Sequence, residues 1–266
     1  MASLSDPNYV HNQYANASNL NARLALHACF STNPYGWFLW VFDRLLELPS
    51  QARILELGCG SGGVWKANLE RIPSKWEITL TDLSEGMVAE AKQALQSVGR
   101  NIRFGLADVQ AIPYPDDSFD AVIANHMLFH APDVSRALSE IHRVLAPGGR
   151  LFAATNGDAH LCELAALIKQ FAPGADVGVK AQSSSFSLEN GGEQLARHFS
   201  LVRLERYEDG LTVTEVEPLV AYVLSTGAKE AIQSRLAEFA ALAQAQINSK
   251  GAFYISKDTG LFIAAK

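Results

Sequence analysis

The chain has 266 residues, 48% of them hydrophobic, with a formal net charge of −6, which fits one α/β domain with additions and a sizeable core. An acidic balance without a basic run argues against nucleic acid or an anionic membrane as partner and leaves a small molecule. No apolar run approaches the ~18 residues of a membrane span, Met1 to Asn21 lacks the apolar centre of a signal peptide, and Cys29, Cys59 and Cys162 are scattered; a cytoplasmic protein with reduced thiols is expected.

Residues 1–49 read as a helical cap. Ser18 is placed to start a helix through about Phe30, with Leu20, Leu24 and His27/Ala28 on one side. Ser31 to Gly36 is a turn, and a second helix from Trp37 to Leu48 stops at Pro49. Tyr9, Tyr14, Phe30, Tyr35, Trp37, Phe38, Trp40 and Phe42 all fall here, either to dock this layer or to wall a ligand off from water. Arg23 is a candidate partner for a ligand carboxylate, with a surface salt bridge as the alternative.

The stretch R-I-L-E-L-G-C-G-S-G-G, Arg53 to Gly63, organises the remainder of the chain. Its apolar run predicts a strand buried on both faces, and its glycines predict a turn in which a ligand lies against bare backbone. Two fingerprints fit: G-x-G-x-x-G at Gly58, Gly60 and Gly63, and E-x-G-x-G-x-G at Glu56, Gly58, Gly60 and Gly62. Glu56 favours the second, since an acid there suits a cationic amino group and repels a pyrophosphate.

A crossover helix, Val64 to Arg71, leads to a strand Glu77–Leu83 that carries Asp82 at its carboxyl end, 24 residues after Gly58, where doubly wound folds place a carboxylate for ribose hydroxyls. Ser84 caps the next helix, which Gly99 closes. A strand Ile102–Asp108 again ends on an acid, so that Asp82 suits the sugar and Asp108 the base of an adenosine. Asp116 and Asp117 read as turn residues rather than metal ligands. A fourth strand, Phe119–Met127, brings Asn125, His126 and then His130 to the carboxyl ends of the strands, and either histidine is a candidate base. An amphipathic helix from Asp133 ends at Pro147–Gly149, and Arg150–Thr155 is the fifth strand of a mostly parallel sheet.

Beyond Gly157 a helix 159–171 leads into residues 172–192, rich in Gly and Ser and expected to be a flexible insertion flanking the site. Leu201–Tyr207 is a sixth strand that Thr212–Val216 prolongs. Helices around 218–224 and from 229 to 247 come next, and Phe253–Ser256 with Gly260–Ala265 is expected to close the sheet edge as an antiparallel hairpin around K-D-T-G.

E-L-G-C-G-S-G at 56–62, the strand-end Asp82, A-D-V at 107–109, I-P-Y-P-D-D-S-F-D-A-V and R-V-L-A-P-G-G at 143–149 together resemble the class I S-adenosylmethionine-dependent methyltransferases, closest to the ubiquinone and menaquinone biosynthesis branch. The resemblance implies a Rossmann-like, doubly wound seven-stranded sheet with an antiparallel last strand over residues 50–266, behind the N-terminal helical extension and with the inserted lid region. It implies S-adenosyl-L-methionine as cofactor, with Gly58, Gly60 and Gly62 against its methionine part and Glu56 ordering that loop or meeting the amino group through water. Asp82 would hold the ribose diol, Leu83 would cover the adenine, Asp108 and Val109 would hold its edge, and Asn125 would lie near the methionyl amine. The implied activity is methyl transfer to a small-molecule acceptor by a monomer or homodimer, with His126 or His130 as base and no metal. A nicotinamide-dependent reductase and a non-catalytic cofactor-binding regulator are the alternatives.

Overall fold

The short apolar runs of the sequence form the strands, and the runs apolar on both faces form the middle of the sheet. The structure is a computed structural model and describes residues 12–96, 101–175 and 185–266. The strands among these residues are β1 Arg53–Leu57, β2 Glu77–Asp82, β3 Ile102–Leu106, β4 Phe119–Asn125, β5 Leu145–Asn156, β6 Leu201–Arg206, β7 Gly210–Val213, β8 Phe253–Ser256 and β9 Thr259–Ala265. Seven make one sheet in the order β3-β2-β1-β4-β5-β9-β6. β1 to β5 run parallel, and β9 is antiparallel to both its neighbours. The chain winds outward from β1 in both directions, so the carboxyl ends of β1 and β4, Leu57 beside Ala124, flank the switch point where such sheets open a crevice.

The expected closing hairpin does not form. T-G-L-F-I-A is buried at every position from Thr259 to Ala264, and a strand apolar on both faces belongs inside a sheet, so β9 inserts between β5 and β6. β8 leaves Tyr254 more than half exposed and is one-sided; it pairs with β7 in a separate ribbon, which takes Thr212 and Val213 away from β6. The true edge is β6, where Arg203 pairs with Glu205 and Glu47, and such charges protect an open edge.

Among the described residues the helices, in order, include α1 Ser18–Phe30, α2 Trp37–Leu45, α3 Gly63–Lys66, α4 Glu85–Leu95, α5 Val134–Val144, α6 Cys162–Phe171, α7 Gly191–Ala196, α8 Val216–Leu224, α9 Lys229–Ile232 and α10 Leu236–Lys250. Ser18 does not cap α1: Ala17 holds the cap position, and the Ser18 N–H donates to Asn16 Oδ1 (2.9 Å). α4 and α5 are capped as read, by Ser84 accepting from Met87 N–H (3.3 Å) and Asp133 from Arg136 N–H (2.9 Å). Gly99 lies outside the described residues. The crossover after the glycine turn is one helical turn followed by a 3-10 turn, and the helix expected over 229–247 breaks at Gln233–Arg235.

Two clusters sandwich the sheet: Leu55, Leu57, Val122 and Ala124 against α5 on one face, Ile54, Ile78 and Leu80 with Trp65, Trp76 and Phe42 of α2 on the other. A third joins Leu26 and Phe30 of α1 to Leu164, Leu211, Val223 and Phe239. The N-terminal helices therefore part company: α2 belongs to the sheet, and α1 to a helical layer shared with α6, α8 and α10. Of the expected flexible insertion, 176–184 lie outside the described residues, but Phe186, Ser187, Leu188 and Gly191 are buried. Phe186 is fully buried, and its carbonyl accepts from the buried Thr155 hydroxyl (2.8 Å). Phe186→Ala should lower stability by about 3–5 kcal/mol in denaturant unfolding; a loss below about 1 kcal/mol would mean that this segment is not packed as described.

Candidate functional site

The turn after β1 owes its shape to residues without a β-carbon. Gly58, Gly60 and Gly62 adopt φ of 65°, 53° and 76°, and a β-carbon on Gly58 would also fall 2.8 Å from that of Met127. The turn is tied to β2: Cys59 N–H donates to Thr81 O (2.9 Å), Gly60 N–H to Asp82 Oδ2 (2.9 Å), and Ser84 N–H to Asp82 Oδ1 (3.0 Å). Asp82 thus fixes both the glycine turn and the start of α4. Burial raises its carboxyl above the usual range, against these N–H bonds.

Glu56 supports the turn from beneath. It is 2% exposed, and Trp65 Nε1 donates to its Oε2 (2.6 Å). Burial pushes its carboxyl up to about 8; the Trp65 hydrogen bond opposes that rise and the Asp82 charge adds to it. Leu83, next to Asp82, is 56% exposed. Asp108 is exposed and accepts from Gln110 N–H (2.8 Å) within its own turn, while Val109 is buried with Leu55 and Leu57 in the core. Asp116 and Asp117 are engaged by Arg143 (2.8 Å) and Lys266 (2.7 Å).

The segment before α1 crosses this site as a strap. Ser84 Oγ donates to Tyr14 O (2.8 Å), a β-carbon on Gly86 would lie 2.1 Å from Ala15 O, and Leu20 approaches Gly60 as closely as a side chain there would allow. Arg23 donates to Ser225 O (2.5 Å), Ser225 Oγ (3.1 Å) and the Tyr14 hydroxyl (3.2 Å), and that hydroxyl meets His130 Nε2 at 3.0 Å. The Arg23 bonds go to Ser225 and Tyr14, not to the surface carboxylate weighed as the alternative.

The two histidines read as candidate bases stand in different surroundings. His130 belongs to the strap through Tyr14. His126 has left-handed backbone, φ 56°, and its ring centroid lies 5.2 Å from that of Trp37, whose Nε1 donates to Asn125 Oδ1 (3.3 Å). With His126 stand groups that sequence reasoning missed: His27 from α1, His160 from the turn after β5, and Lys257, whose ammonium pairs with the fully buried Asp209. His160 had a signal, since it follows the carboxyl end of β5 just as His126 follows that of β4. Lys257 lay hidden in K-D-T-G, read only as a turn.

Burial first, then the Lys257 charge, lowers His27 to about 3 and His126 to about 4. His160 is pushed well below its ordinary value by burial, then by His27, His126 and Lys257. The folded protein keeps all three neutral while the unfolded chain protonates them below about pH 6.5. Stability should therefore fall on acidification from about pH 6.5 to about 4, on the order of 1.4 kcal/mol per pH unit for each histidine. Glu56 works in the opposite sense between about pH 8 and the ordinary carboxylate range, offsetting one of the three. Thermal unfolding across pH 7 to 4.5 checks the slope, and a midpoint that holds level or rises would contradict it.

Residues 55–153 match the methyltransferase domain family. A malonyl-[acyl-carrier protein] O-methyltransferase of Halorhodospira halophila is 36% identical over 160 residues, 55% of this chain and 54% of its own length. A demethylmenaquinone methyltransferase of Thermus thermophilus is 40% identical over 115 residues, 43% of this chain and 51% of its own. The chain spans about half the length of these curated relatives. Among solved structures, phosphoethanolamine N-methyltransferase 2 of Haemonchus contortus, in complex with S-adenosyl-L-methionine, aligns with a TM-score of 0.60 at 18% identity, over 100% of this chain and 60% of that one, a likeness of fold. Residues 55–153 are therefore similar to a methyltransferase domain, and the chain shares the fold of solved methyltransferases.

Proposed function

We propose that the protein transfers a methyl group from S-adenosyl-L-methionine to a small-molecule acceptor, in the cytoplasm and as a monomer or homodimer. The observation that carries this reading is the glycine turn at the β1/β4 switch point, with positive φ at Gly58, Gly60 and Gly62 and clasped by Asp82 through the Gly60 N–H. The residues fit the cofactor. Each Asp82 oxygen accepts one of these two N–H bonds and keeps capacity for a ribose hydroxyl. Exposed Leu83 offers apolar cover for adenine, and exposed Asp108 an acceptor for its amine, with Val109 alongside. Asn125 would lie near the methionyl amine and Arg23 toward the carboxylate. Of the two roles read for Glu56, ordering the loop is the one its bond to Trp65 supports.

The cofactor supplies a methyl group on a sulfonium, already activated for displacement, so the protein's work is alignment, exclusion of water and removal of any acceptor proton. The strap packed on Ser84 and Gly86 would serve to keep water from the bound cofactor. His126, neutral near pH 7, offers a ring nitrogen as base, whereas His130 holds the strap through Tyr14. His126→Ala should lower kcat more than tenfold with cofactor affinity kept. His130→Ala should mainly weaken cofactor binding. Less than a tenfold change in turnover with both replaced would remove the base.

Titration calorimetry should show binding of S-adenosyl-L-methionine and none of NADH, and Asp82→Ala should abolish that binding. Unaltered affinity in Asp82→Ala would mean that the ribose is held elsewhere. An acceptor library scored for S-adenosylhomocysteine release tests turnover, and cofactor binding without release for any acceptor would favour a regulatory module.

A further inference from the structure

Among the described residues the sheet ends on two strands with a neighbour on one side only, β3 and β6. The ribbon strands are covered, β7 by the bridge from Ser31 to Leu211, and β8 by Leu161 N–H donating to Ser256 O (2.8 Å) and by Glu163 accepting from Ser256 N–H (2.8 Å). β9 bonds β5 through its even-numbered residues, in step with Lys266 N–H to Gly149 O (3.0 Å) and Gly157 N–H to Asp258 O (2.9 Å). It bonds β6 through its odd-numbered ones, in step with Tyr207 N–H to Thr259 O (2.9 Å). The odd residues of β6 are therefore spent on β9, and alternation turns the N–H and C=O groups of Val202, Leu204 and Arg206 outward. Among the described residues no hydrogen bond reaches them. On the same edge Leu201 is 73% exposed and Leu204 37%.

Side chains narrow what can occupy this edge. Arg203 and Glu205 share the face of β6 that looks toward α2, where Arg203 meets Glu47 (3.5 Å) and Arg44 meets Glu205 (2.9 Å). Arg203 also meets Glu205 of its own strand (3.0 Å), with more than half of its side chain exposed, so it has donors left for a second carboxylate. A second β6 laid antiparallel on the open edge must set outward residues against outward residues, and each two-fold register is centred on one residue of the strand. Centring on Arg203, Glu205 or Arg206 brings a like pair together. Centring on Val202 leaves Arg203 opposite Leu201. Centring on Leu204 alone sets Arg203 opposite Glu205, and does so twice. In that register Val202 exchanges hydrogen bonds with Arg206 and Leu204 with its own copy, so every outward group is used. The Arg203–Glu205 pairs then fall at non-hydrogen-bonded positions, where Cα atoms approach to about 4.5 Å. β3, Ile102–Leu106, contains Arg103 and no acid, so no self-pairing of that edge brings opposite charges together.

We propose that β6 is the docking edge for a second copy of this chain, the two β6 strands pairing antiparallel about a two-fold axis at Leu204 and joining the two sheets edge to edge. The charges on the edge then act twice. They keep foreign strands off, because a mispaired strand leaves Arg203 or Glu205 against its like or against an apolar residue, and they fix the register for the one strand that matches. β6 is antiparallel to β9 and β9 to β5, so β6 runs in the direction of β1 to β5. A two-fold axis perpendicular to the sheet therefore opens the crevices beside β1 and β4 at opposite ends of the dimer, each within its own chain. Dimer formation is thus independent of the methyl-transfer reading.

The test is light scattering on the full chain across a concentration series, followed by amide hydrogen exchange. The mass should rise to twice the 28.8 kDa of one chain. Arg203→Glu sets acids against acids across the axis, and Glu205→Arg sets bases against bases. Each variant alone should raise the dissociation constant at least tenfold and speed exchange at the amides of Val202, Leu204 and Arg206, while the amides at 203 and 205, bonded to β9, stay protected. Mixed in equal amounts, the two variants present opposite charges at both positions and should associate within threefold of the unaltered protein. Leu204→Pro removes an outward N–H without touching the β9 ladder and should also weaken the dimer at least tenfold. A mass that stays at one chain, a dimer that Arg203→Glu leaves intact, or variants that do not associate on mixing would overturn the proposal. Should a charge variant fail to fold, exchange in the unaltered protein decides: fast Val202, Leu204 and Arg206 amides beside slow ones at 203 and 205 would overturn it as well.

Discussion

The two bonds that Asp82 accepts, from Gly60 N–H and Ser84 N–H, join the ends of two neighbouring strands and settle the geometry of everything around them. Through the first, the glycine turn is held in a left-handed course that side chains disfavour. Through the second, α4 begins where its first residues can receive the strap. Asp82 is buried to do this, and its carboxyl is raised because desolvation outweighs the backbone N–H bonds it accepts. Such an acid gains from any further donor, and a sugar diol supplies two.

Around that anchor the chain accepts polar groups in places that a purely apolar interior would avoid. Glu56 sits in the core on one indole N–H, three histidines are kept neutral, and the Lys257–Asp209 pair is buried. None of these is a good way to gain stability, since burying a charge or leaving a nitrogen unpaired costs more than apolar packing of the same volume. They lie at one end of the sheet, at the carboxyl ends of β1, β4 and β5, while the opposite faces are ordinary Leu, Ile, Val and Phe packing. Local rules are broken around the candidate site, as expected where residues are kept for function rather than for folding.

The parallel part of the sheet and the glycine turn were legible because local signals decide them: buried apolar runs, a capping Ser84 and Asp133, and glycines where φ must be positive. Tertiary context decided the rest. Nothing local distinguishes β8 from β9 as hairpin partners, yet β9 is apolar on both sides and β8 is not, and that difference sends one into the sheet and the other to a ribbon. Residues 185–192 looked like loop from their Ser and Gly, whereas Phe186 and Leu188 pack into the core. In the candidate site, the strand-end positions of Asp82, Asn125 and His126 were legible. His27 and Lys257 were not, because a histidine on an inner helix stripe and a lysine in a turn gain meaning only from what folds against them. The separation of His126 from His130 is likewise a matter of packing, since four residues of chain cannot show that one faces Trp37 and the other Tyr14.

The most direct measurement is a crystal structure of the chain soaked with S-adenosylhomocysteine. The nucleoside is expected against Gly58, Gly60 and Gly62, with the ribose hydroxyls on Asp82, adenine beside Leu83 and Asp108, and the sulfur turned toward His126. A nucleoside bound away from the glycine turn, or an Asp82 carboxylate that leaves the ribose untouched, would contradict it.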